Sequence, residues 1–131
     1  MLPEIVAVLR SFEVAGQVYF SQVNASTAVL VPEDSGCAVT VHDRGDTITV
    51  RTGLDVSINI DPEEEDVTVL LHDLLEALRD GRAEERLTTL HRNRLTPDGY
   101  KVEYAGGSMW EFGERSGREY AVRLPKWNAS S

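Results

Sequence analysis

The sequence predicts an α+β fold: an antiparallel β-sheet of about seven to nine strands, with two helices packed on one face, in the order helix, five strands, helix, three to four strands. Three observations carry this expectation. Two stretches, Pro3 to Val14 and Val67 to Leu78, repeat apolar residues at helical spacing. The segments between and after them alternate apolar and polar residues, as half-buried strands do. At 131 residues the chain suits a single domain over 1–131, and no repeat or long linker divides it.

Taken in order, Ile5, Val8, Leu9 and Phe12 mark the first helix. After Gly16 come short segments rich in valine and threonine, Gln17 to Val23 and Thr27 to Val31, the second ended by Pro32. Cys37, Val39 and Val41 then alternate with Thr40 and His42. Ile48 and Val50 alternate with Thr47, Thr49 and Arg51, and Leu54, Val56, Ile58 and Ile60 with Asp55, Ser57 and Asn59.

The stretch Asp61 to Asp66 holds five acids in six residues. Asp61 reads as an N-cap, with Pro62 at the first helical position and Glu64 completing a capping box. Glu63, Glu65 and Asp66 then lie in the first turn, each favoured by the helix dipole by about 0.3–1 kcal/mol. Val67, Leu70, Leu71, Leu74, Leu75 and Leu78 form one apolar stripe that must lie on the sheet. Arg79 suits the last turn and Gly81 a left-handed cap.

Beyond Gly81, Leu87, Leu90 and Leu95 fit neither period well, so Glu85 to Leu95 can continue as a helix or become a strand; Thr88, Thr89 and a following turn at Thr96-Pro97-Asp98-Gly99 favour the strand. Tyr100, Val102 and Tyr104 alternate next. A Gly106-Gly107-Ser108 break leads to Trp110 and Phe112, and a Glu114-Arg115-Ser116-Gly117 turn leads to a last strand with Tyr120, Val122 and Leu124. Residues 124–131 read as a loose tail.

Composition excludes several classes of function. The net charge is −9 and the pI about 4.7, which argues against nucleic-acid binding through a general basic surface. Met1 to Glu85 carries 17 acids against 5 bases, while Arg86 to Ser131 carries 5 acids against 8 bases. An acidic front half can meet a basic protein partner. No apolar run suits a membrane span, and Pro3 and Glu4 stand where a secretory signal carries basic residues, so a cytoplasmic protein without membrane contact is expected. Eleven arginines against two lysines suggest a bacterial genome of high GC content. Cys37 is alone, which leaves no intramolecular disulfide and no multi-cysteine zinc site.

Catalytic constellations are missing from the sequence. His42 and Asp43 are strand neighbours that point to opposite faces, so Asp43 cannot orient the imidazole. His72 with Glu76 has ligand spacing on a helix but no evident third ligand, and His91 stands in a separate segment. The acid cluster lacks calcium-loop spacing. No phosphate-binding glycine motif, nucleophile elbow or HExxH is present, and Arg44-Gly45-Asp46 reads as hairpin-turn chemistry. The pattern therefore leans away from an enzyme without deciding the point, and no metal and no cofactor are expected.

Two stretches keep some interest. Met109, Trp110 and Phe112 between glycines have the composition of a recognition patch, against the alternative that alternation simply turns them inward. Arg86, Arg92 and Arg94, with His91, form a basic stripe that can dock an anion or pair with the protein's own acids. In size, acidity and α+β order the chain resembles small acidic secretion chaperones and toxin-neutralising immunity proteins, which work by covering a partner; the likeness attaches to no specific residue. The expected function is that of a small acidic non-catalytic protein-binding module of chaperone, adaptor or immunity type. The alternatives are a small-ligand binder or enzyme with a pocket between sheet and helix, and a structural homodimer joined at a strand edge.

Overall fold

The computed structural model describes residues 1–91, 94–105, 107, 109–112 and 119–127. Its elements run α1 (Pro3–Ala15), β1 (Val18–Asn24), β2 (Thr27–Pro32), β3 (Val39–Asp43), β4 (Ile48–Thr52), β5 (Val56–Ile60), α2 (Val67–Arg79), β6 (Ala83–His91), β7 (Arg94–Glu103), β8 (Met109–Phe112) and β9 (Glu119–Arg123). The α+β class and the element order agree with the sequence reading. The single sheet does not: the strands form two antiparallel sheets, a five-stranded meander β1-β2-β3-β4-β5 and a four-stranded sheet ordered β8-β7-β6-β9. The division falls at α2, because β6 pairs with β7 and β9 and never returns to the edge of β5. That edge instead receives a side chain, the Tyr100 hydroxyl, which donates to the Ser57 carbonyl at 2.8 Å.

Period two explains the first sheet. The register sets Ala28, Val41, Val50 and Ile58 side by side across four strands, and all four are buried. Thr27, His42, Thr49 and Asn59 form the neighbouring row on the opposite face. There Thr27 Oγ1 meets His42 Nδ1 at 3.2 Å, and Thr49 Oγ1 donates to Asn59 Oδ1 at 2.8 Å. Arg44-Gly45-Asp46 forms the β3–β4 hairpin tip, with Gly45 N–H donating to Asp43 Oδ1 at 2.9 Å.

Ile5, Leu9 and Phe12 of α1 and Leu71, Leu74, Leu75 and Leu78 of α2 are buried in one cluster with strands of both sheets. The apolar stripe therefore does what its spacing implies. The helices touch each other, α1 also contacts β1, and α2 also contacts β7, so the helical layer is not confined to one sheet. No described helix is long and apolar enough to cross a membrane.

The start of α2 corrects the capping-box expectation. Its N-cap is Asp66, whose Oδ1 accepts from Thr68 Oγ1 at 2.8 Å and from Val69 N at 3.3 Å. Asp61 closes a separate turn: its side chain accepts from Glu63 N and its carbonyl from Glu64 N and Glu65 N. The first helical turn thus contains no acid, and only the cap meets the positive end of the dipole. The other end matches the reading. Arg79 lies in the last turn, Gly81 has φ +73°, and Arg82 N donates to Ala77 O while Gly81 N donates to Leu78 O, a Schellman closure.

Residues 85–91 are strand as expected, but Thr96 to Gly99 is not a turn. His91 pairs with Arg94, and the Pro-Asp-Gly run lies inside β7. Leu87 faces Pro97 and Glu85 faces Tyr100, so β7 carries one extra residue there, with Gly99 at φ +129°. A bulge is where an interior strand can accept a residue without an N–H. Of the stretch 124–131 read as a loose tail, residues 124–127 are anchored instead. Leu124 and Trp127 are buried, Trp127 N donates to Arg79 O, and Ser35 Oγ donates to Lys126 O. Residues 128–131 lie outside the described ones.

Candidate functional site

Where the two sheets meet, an apolar cleft of about 340 Å³ opens between the β4–β5 turn and the β6–β9 pair. Its lining includes Cys37, Leu54, Leu87, Val122, Leu124 and Pro125, with Glu85 among them. Ladder pairing explains the arrangement. Glu85 faces Val122, and Leu87 faces Tyr120, so these residues share one face of the second sheet. The β4–β5 turn covers only the Glu85 end of that face. Val122 stays 48 % exposed, and Leu54 at the turn 74 %.

Glu85 is the unusual member. It is 3 % exposed, and its two oxygens accept from Leu54 N at 2.7 Å and Asp55 N at 2.9 Å. Gly53 makes the approach possible: it has φ +62°, and a Cβ there would collide with Glu85 Oε1. Among the described residues Glu85 has no ion pair. Arg123 borders the same cleft, yet its Nη1 donates to the Gly81 carbonyl at 3.0 Å.

Cys37 is half-buried on the cleft wall. Burial pushes its thiol pKa up, and the charge of Glu85 adds to the rise against a hydrogen bond from Gly53. A raised pKa keeps the thiol protonated and a poor nucleophile. No described histidine lines the cleft to act as its base. Together these groups offer apolar walls, a buried carboxylate and a strand edge.

The two histidines whose side chains are described, His42 and His72, do not converge. His42 lies on the outer face of the first sheet beside Thr27. His72 rests at 5.4 Å from the Phe12 ring and 3.6 Å from Asp73, while Glu76 turns to Arg79 and Arg82. Among the described residues no group of three or more His, Cys, Asp or Glu is placed to hold a metal. Met109, Trp110 and Phe112 belong to β8, the far edge of the sheet from β9, and their side chains lie outside the described part. Arg86 alternates with Glu85 and Leu87, so it takes the face opposite the cleft, where it is 8 % exposed and engaged within the chain. Arg94 pairs with His91 through its backbone, its side chain is outside the described part, and Arg92 lies outside the described residues.

Sequence reading passed over Glu85, Leu54 and Val122. One signal was present: Ala83, Glu85 and Leu87 share a strand phase, which puts a carboxylate at an apolar position. No family model matches the chain, and no curated protein or solved structure matches it significantly.

Proposed function

We propose that this chain is a non-catalytic protein-binding module that takes an extended segment of a partner along the outer edge of β9. The observation that carries the reading is an edge strand that is open and continuous with an apolar cleft. Among the described residues nothing pairs with β9 beyond β6, and Ala121, Val122 and Arg123 are all exposed. Leu124 N donates to Ala83 O, which sets the ladder phase, so Ala121 and Arg123 turn their N–H and C=O groups outward. Such a row is a template for strand addition, with main-chain bonds supplying affinity and side-chain pockets specificity. The opposite edge of the fold is treated differently. On β1, Phe20 N already donates to Glu13 Oε2 at 2.9 Å, and α1 lies alongside.

A displayed library of random dodecapeptides tests the reading. The wild-type chain is expected to enrich a sequence family whose binding protects the Ala121 and Arg123 amides from hydrogen exchange. Ala121→Pro removes an outward N–H without touching a ladder bond to β6, and should weaken those peptides at least about tenfold. Failure to enrich any family, or equal binding by Ala121→Pro, would overturn it.

A further inference from the structure

Resting on the strand-addition reading, we infer that the side chain received by the cleft is a cation: a lysine or arginine carried by the partner's extended segment. Glu85 supplies the reason. A carboxylate has about four acceptor positions, and the two backbone N–H groups of Leu54 and Asp55 use one on each oxygen. The charge is buried with neutral donors alone, an arrangement that a cation improves. Leu54, Leu87, Val122, Leu124 and Pro125 offer no further polar side chain but do offer a wall for methylenes. A long aliphatic stem ending in a positive head satisfies both features.

The strand geometry fits the reach. A segment added to β9 places one residue opposite Val122, which itself lies opposite Glu85. Two strand spacings, about 9.5 Å, then separate that residue from Glu85, a gap that an extended lysine or arginine and the glutamate side chain span together. The chain's net charge of −9 draws in a basic segment and disfavours a second acidic copy as the occupant.

The side-chain preference is measured without any partner by titrating the full chain with n-butylguanidinium chloride and with its neutral analogue n-butylurea, followed by NMR. The guanidinium should shift the Leu54 and Asp55 amides and the Val122 methyls saturably, with butylurea at least tenfold weaker and Glu85→Gln at least tenfold less responsive. Val122→Lys, which supplies a cation from within, should raise the melting temperature and abolish the response, and it serves if Glu85→Gln does not fold. Equal binding of butylurea, an unchanged response in Glu85→Gln, or unmoved Leu54 and Asp55 signals would overturn the inference. The two readings fail separately. Peptides that need the β9 edge but carry no lysine or arginine facing Val122 sink the cation alone, whereas a cleft that takes butylguanidinium while Ala121→Pro leaves peptide binding intact sinks strand addition alone. Sedimentation showing a dimer that Ala121→Pro dissociates would assign the edge to a second copy and overturn the proposal.

Discussion

Single side chains decide how the segment after β9 is held. Trp127 is 2 % exposed, meets the Phe12 ring edge-on at 5.9 Å, and sits so close to Gly36 that a Cβ there would lie 2.6 Å from its ring. Trp127→Ala is expected to cost about 3–5 kcal/mol in urea denaturation, the usual loss for a large aromatic in a core. A loss under about 1 kcal/mol would mean that the segment is not anchored there. Tyr104 gives a pH signature. Burial, with Asp73, Tyr100 and Glu65 adding to it, pushes its hydroxyl from 10.0 up to about 12. The folded state therefore favours the neutral phenol. Stability from this group is complete below the unfolded value of 10.0 and is lost as pH rises through about 12. Tyr104→Phe should flatten that alkaline loss in thermal melts, and an unchanged slope would refute it.

At the scale of elements, the acid-rich approach to α2 divides into two jobs. Asp66 caps the helix, and hydrogen bonds from Thr68 and then Val69 hold its carboxyl below its ordinary value of 3.8. A depressed carboxyl contributes stability that is present above its unfolded pKa and disappears as pH falls through the lower folded one. Asp66→Ala should thus lower the melting temperature at neutral pH more than Asp61→Ala does, and the difference should shrink in strong acid. Equal effects at neutral pH would put the helix start back at Asp61. The same segment shows where periodicity stops being informative. The leucine spacing places the buried stripe correctly, but Asp61 and Asp66 are both competent caps, and local chemistry does not choose between them. Pro97-Asp98-Gly99 carries a similar ambiguity, because residues that suit a turn also suit a bulge. Pairing with β6 decided for the bulge.

Across the whole molecule, specific contacts join the two sheets beside their shared core. Glu85 binds the β4–β5 turn, Tyr100 reaches the Ser57 carbonyl, and Leu124 with Trp127 carries the segment after β9 back to the core. The cleft exists because this union is partial: the turn meets the Glu85 end of the β6–β9 face and leaves Val122 uncovered. The open edge of β9 and the negative charge of the whole chain act at this scale too, the first by offering backbone groups and the second by selecting who approaches.

The residue pattern by itself determined both helices, the first five strands and the apolar residues of α1, α2 and the meander, and it favoured strand over helix for residues 85–91 without deciding between them. Each of these follows from a periodicity or turn residue readable within one segment. Only the tertiary structure decided that the strands split into two sheets, that Glu85 points into their junction, that Val122 is left exposed there, and that Trp127 belongs to the core. Those outcomes depend on which segments meet, and contacts between residues as distant in sequence as Leu54 and Glu85 or Phe12 and Trp127 leave no local trace in the pattern of either segment.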